Sequence, residues 1–130
     1  MNSQKLGKIL LVEDEKDIRT VAQLALESVG GFELKLCESG TMALETVSEF
    51  QPDLFLLDVM MPGLDGPSTL KELRKIAGFE NTPAIFMTAK VQPHEVEELK
   101  ALGAIEVIAK PFDPMALSGQ IQTCWQSQAN

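Results

Sequence analysis

Cations are scarce in this sequence: 11 lysines and arginines stand against 19 aspartates and glutamates, a formal net charge of −8 over 130 residues. A chain so weighted cannot hold nucleic acid by neutralising phosphates, which excludes that class of partner. Cysteine is nearly absent. Cys37 and Cys124 lie far apart in no ligand spacing and read as small buried hydrophobes of a reducing compartment. Histidine occurs once, as His94, in the first turn of an expected helix, and is read as exposed. No apolar run approaches the roughly 20 residues of a membrane span, so no membrane is expected. Residues 1–8 do not make a signal peptide, and no linker or low-complexity segment breaks the chain. One cytoplasmic domain over residues 1–130 is expected, with no output domain after Trp125.

What is present is a regular alternation. Residues 9–12, 54–57 and 84–87 are wholly apolar, as strands buried on both faces of a parallel sheet are. Residues 106–109 form a shorter strand, and residues 32–37 alternate apolar and polar, as a strand near a sheet edge does. Between them run helical patterns. Ile18, Val21, Ala22, Ala25 and Val29 keep helical spacing up to Gly30-Gly31. Ser39 caps a helix whose inner stripe is Met42, Ala43, Val47 and Phe50. Pro67 opens a third, with Leu70, Leu73, Ile76 and Ala77 inward and Gly78 as its stop. Pro93 lies in the first turn of a fourth, ended by Gly103, and Asp113-Pro114 begins a fifth lined by Leu117, Ile121 and Cys124. Strands alternating with helices imply right-handed βαβ units. The expected fold is α/β: a flavodoxin-like (βα)5 doubly wound parallel sheet of five strands in the order 2-1-3-4-5.

That order makes the first and third strands neighbours and gathers the residues at their carboxyl ends. Glu13 and Asp14 follow the first apolar run and Asp58 the third, with Thr88 and Lys110 placed alike after the fourth and fifth. A lone Asp58 reads as readily as a turn former, and Glu13-Asp14 as a solvated turn; the assembled set reads otherwise. Carboxylates within a few ångströms repel by about 4 kcal/mol per pair at an effective dielectric of about 20. A raised pKa, a cation or the lysine must offset this. Lys110 neutralises one charge, and Mg²⁺, which takes hard oxygen ligands in open carboxylate sites, fits the remainder. The chemistry such an edge supports is phosphoryl transfer to a carboxylate oxygen.

At this point the chain resembles the receiver domains of two-component response regulators, of the chemotaxis-regulator type, from about Lys8 to Trp125. The resemblance rests on Leu11-Val12-Glu13-Asp14, on Leu57-Asp58-Val59-Met60-Met61-Pro62-Gly63-Leu64-Asp65-Gly66, on Met87-Thr88-Ala89 and on Lys110-Pro111-Phe112. It implies that Asp58 is the phosphoacceptor, and that Glu13, Asp14 and Asp58 hold Mg²⁺ with the carbonyl oxygen of Met60. It implies that Thr88 and Lys110 bind the phosphoryl group and that the Lys110–Pro111 peptide is cis. The partners implied are a histidine kinase or histidine phosphotransfer protein, and a downstream protein of unknown identity. Such a domain phosphorylates and dephosphorylates itself and turns over no external substrate. Three positions depart from the family pattern: Met60 where a polar side chain is common, Lys90 two residues after Thr88, and Val107 where an aromatic ring often reports the state.

Rival functions share the architecture. A flavodoxin-type or nucleotide-binding enzyme needs a phosphate-cradling loop, and the first such loop here carries Glu13-Asp14-Glu15. A haloacid-dehalogenase-type aspartyl-phosphate hydrolase needs Asp-x-Asp, and Met60 stands in place of the second acid. A phosphorylation-independent docking module would normally lose one of Asp58, Thr88 or Lys110, and all three are present. Asp65-Gly66 reads as turn chemistry, Trp125 as helix packing, and His94 not as a phosphodonor.

Overall fold

The strand expected at residues 54–57 lies in the middle of the sheet and carries both cores of the molecule. A computed structural model describes residues 5–128; the first residues of the stretch read as lacking a signal peptide fall outside it. The strands are β1 (Lys8–Val12), β2 (Glu33–Cys37), β3 (Leu54–Asp58), β4 (Ala84–Thr88) and β5 (Glu106–Ala109). All four pairings are parallel and the order is β2-β1-β3-β4-β5, as expected. Side chains alternate across the sheet, so β3 feeds both faces. Leu54 and Leu56 join a cluster with Ile9, Leu11, Ile85 and Met87. Phe55 and Leu57 join another with Leu10, Val12 and Phe86. A continuous apolar run is the sequence image of this two-sided burial. β2, at the edge, is mostly half-exposed, as its alternation predicts.

Helices α1 (Lys16–Gln23) and α5 (Leu117–Gln128) cover the first cluster, and α2 (Gly40–Phe50) and α3 (Gly66–Leu73) cover the second. α4 (Pro93–Ala101) contributes no buried residue and rests against β5. Ser39 caps α2 as expected, its hydroxyl accepting from the Met42 N–H at 3.1 Å. Asp65 caps α3, accepting from Ser68 N at 2.8 Å, so Asp65-Gly66 is turn and cap chemistry. Trp125 is 5% exposed and packs from α5 into the first cluster.

Three details depart from the sequence pattern. α1 runs on as a π-helical segment, Leu24–Val29, in which Gly30 N donates to Ala25 O at 3.0 Å. The wider turn holds an extra residue. Leu26 is therefore turned inward, while Val21 and Val29, expected on the inner stripe, are 40% and 43% exposed. α3 stops at Leu73 rather than at Gly78; Ala77 is exposed and Phe79 is buried instead. Arg74 fixes this exit by donating to the carbonyls of Phe79 and Thr82 and lying over the Phe55 ring. In α5, Asp113 closes a turn by accepting from Met115 N at 2.9 Å, and the regular helix starts only at Leu117. Cys124 is half-buried at the rim of its inner face, which Leu117, Ile121 and Trp125 fill.

Candidate functional site

Asp58 is the last residue of β3 and only 3% exposed. Parallel pairing sets everything else at the same level. Thr88 ends β4 opposite Ala109 of β5, and Lys110 follows, its N–H on the Thr88 carbonyl at 2.9 Å. Glu13 continues β1 by donating its N–H to Cys37 O at 3.0 Å, and its residue is wholly buried. The Lys110 ammonium bridges the two acids, 3.0 Å from Glu13 Oε1 and 3.1 Å from Asp58 Oδ1. The other Glu13 oxygen accepts from Glu15 N at 3.1 Å. Carboxylate oxygens of Glu13, Asp14 and Asp58 lie within 4.8 Å of one another. The Lys110–Pro111 peptide is cis, as the resemblance implied.

Burial raises the Glu13 carboxyl to about 7, against hydrogen bonds from Glu15 and Lys110 that pull it down. Burial likewise raises Asp58, opposed by Lys110. For Lys110 itself burial works downward, but its hydrogen bonds to Glu13 and Asp58 win and hold it above the usual lysine range. Two of the three offsets anticipated from the sequence thus operate together: the lysine and a raised pKa. The donor set also suits the third. Clustered hard carboxylate oxygens are what Mg²⁺ takes, and soft or nitrogen ligands are not part of the cluster.

Thr88 is 4% exposed, and its hydroxyl oxygen accepts the Lys90 N–H at 3.0 Å, which leaves its own proton for another acceptor. The Met60 side chain is 63% exposed, so it does not fill the acidic cluster. Val107 is half-buried against the cluster of Phe55 and Leu57, and His94 is exposed. Two contributors escaped the sequence reading. Arg19, in α1, donates from Nη1 to the carbonyls of Glu13 at 2.7 Å and Asp14 at 2.9 Å, pinning the acidic turn. Its partners are backbone oxygens, which no spacing of side chains reveals. Gly66 is the second: its N–H donates to Val59 O at 2.9 Å, and a Cβ there would collide with the Asp58 carbonyl. The DG pair was legible as a turn but not as a close approach.

Comparison with known proteins bears on the chain as a whole. The response regulator receiver domain model matches residues 9–122. Sporulation initiation phosphotransferase F of Bacillus subtilis is 39% identical over 106 residues, which cover 82% of this chain and 83% of that protein. Regulatory protein AtoC of Escherichia coli is 34% identical over 95% of this chain but only 26% of its own length. The chain spans about half (49%) of response regulator Rre1 of Synechocystis, at 33% identity. Among solved structures, chemotaxis protein CheY4 of Vibrio cholerae superposes with a TM-score of 0.84 at 29% identity, covering 92% of this chain and 99% of that one. With the family match running from Ile9 in β1 to Gln122 in α5, this chain belongs to the response-regulator receiver domains, the phosphoacceptor modules of two-component signalling.

Proposed function

We propose that residues 1–130 act as one receiver unit in which Asp58 takes a phosphoryl group from a phosphohistidine of a histidine kinase or histidine phosphotransfer protein. The P–N bond of the donor breaks as a P–O bond to an Asp58 carboxylate oxygen forms. Glu13, Asp14 and Asp58, with the Met60 carbonyl oxygen, would hold Mg²⁺. When bound, that ion neutralises charge on the phosphoryl oxygens. Lys110 turns from the Asp58 carboxylate to the incoming phosphoryl group, which carries more charge. Thr88 donates the hydroxyl proton that its bond from Lys90 leaves free. The product is hydrolysed at the same site, so the unit turns over no external substrate. The observation that carries this reading is the single ammonium of Lys110 within 3.1 Å of both buried acids.

The donor must cover this edge of the sheet. A hollow of about 420 Å³ opens beside Lys110, walled by Ile18, Val21, Ala89, Pro111 and Phe112, and offers it an apolar seat. The state of Asp58 is then read at α4, β5 and α5 by a downstream protein. The deciding experiment exposes the protein to a small phosphodonor such as acetyl phosphate. Labelling that needs Mg²⁺ and is removed by hydroxylamine is expected. A phosphorylation-independent docking module would take no label at any Mg²⁺ concentration.

A further inference from the structure

A second hollow, of about 350 Å³, lies on the α4 side of the site. Its apolar wall is Met60, Leu99 and Leu102, and two of these are left to water at 63% (Met60) and 58% (Leu102) exposure. Its charged rim is Glu95, Glu98 and Lys90, and Thr88 lies at its floor. Among the described residues the ion pairs leave Glu95 and Glu98 without a cation. Glu95 spends one oxygen on the Gln92 N–H at 3.2 Å, capping α4, but neither acid meets a cation. Apolar side chains exposed around two such carboxylates suit an occupant that is apolar on one side and cationic on the other.

We infer that this hollow docks a cationic amphipathic helix of a partner protein, and that phosphorylation of Asp58 strengthens the docking. The inference rests on the receiver reading. Leucine or methionine side chains of such a helix cover Met60 and Leu102, and its lysines or arginines meet Glu95 and Glu98. Lys90 supplies the coupling. Among the described residues it is the one cation that lines the hollow, and it follows Thr88 by two residues. A phosphoryl group on Asp58 adds about one to two negative charges near Thr88. Lys90 is drawn toward that charge and away from Glu95 and Glu98, so the rim becomes more acidic and holds a cation better. A helix with an acidic face finds the reverse.

The test uses the full chain and two synthetic helical peptides, one of leucine and lysine, the other of leucine and glutamate, with binding read by fluorescence anisotropy. Mg²⁺ with beryllofluoride supplies the phosphoryl mimic. The lysine peptide should bind, and bind more tightly with beryllofluoride; the glutamate peptide should not. Glu95→Gln with Glu98→Gln should weaken the lysine peptide about fivefold, the scale of two exposed ion pairs. Glu45→Gln with Glu49→Gln, a matched pair of exposed acids on α2, should leave it unchanged. Lys90→Gln should tighten binding in the unphosphorylated form and shrink the gain from beryllofluoride. Equal weakening by the α2 pair, or none by the α4 pair, overturns the inference, as does binding indifferent to beryllofluoride. Melting curves of each variant confirm the fold. Acetyl phosphate labelling of the same samples separates the two levels: labelled protein without these charge effects defeats the inference alone, whereas failure to label defeats the receiver reading.

Discussion

Glu13 and Lys110 show how a single buried pair governs the site. The Glu13 carboxyl lies at about 7 in the fold against an ordinary 4.5, because its burial disfavours the charged form. A raised acid contributes stability that is fully present below about 4.5 and is lost as pH climbs through about 7. Asp58, also raised by burial, adds in the same direction. Lys110, raised too, keeps its contribution throughout this range, since its charge is lost only at far higher pH. Metal-free protein should therefore be less stable at pH 7.5 than at pH 5.5, by about 2 kcal/mol for Glu13, and melt at a lower temperature. Mg²⁺ should restore the loss at pH 7.5 and do little at pH 5, where protons compete for the ligands. A melting temperature that rises from pH 5.5 to 7.5 in chelator would contradict this. Arg19 acts one step further out. Removing its grip on the Glu13 and Asp14 carbonyls, as Arg19→Ala, should weaken Mg²⁺ binding about tenfold or more, as lost supports of metal ligands do. Calorimetric titration reads it; an unchanged affinity would remove Arg19 from the site.

At the scale of elements, the closeness of α3 to β3 is the sharpest constraint. The α3 N-terminus sits on the Asp58 carbonyl, with room for no Cβ at Gly66. Gly66→Ala must push the loop between β3 and α3 outward, at about 1–3 kcal/mol for overpacking, and slow labelling of Asp58. Denaturant unfolding together with a labelling time course measures both; wild-type values in each would show that the loop yields freely. The sequence announced the strands and their ends well, because two-sided burial leaves an unbroken apolar run and the acids stand at the break. It announced the helices less well. Helical spacing assumes a constant turn, and the π-helical segment after α1 replaced Val29 with Leu26 on the inner face. Nor could spacing foresee that Arg74, reaching carbonyls beyond its helix, would end α3 early and bring Phe79 into the core. What stayed hidden in both places is side chain or backbone hydrogen bonding to main-chain carbonyls, which leaves no periodic trace.

In the whole molecule, two cores lock the sheet, while α4 only rests on it, with no buried residue and Leu99 partly packed on the second core. An element held so lightly is the one a change of charge at Asp58 moves at least cost. Val107, branched and half-buried against the core, has little rotamer freedom with which to report that change. With beryllofluoride bound, residues 88–91 and α4 should shift while Val107 keeps its rotamer, visible as nuclear magnetic resonance shift changes concentrated there. A rotated Val107 beside a fixed 89–91 segment would refute that route. The phosphoryl group belongs on one particular carboxylate, that of Asp58. The most direct measurement reduces the labelled protein with borohydride, which converts an aspartyl phosphate to homoserine, and locates the change by mass spectrometry. Homoserine at position 58 alone, and none in Asp58→Asn, is the predicted result; homoserine at Asp53 or Asp65 in the wild-type protein would contradict the account.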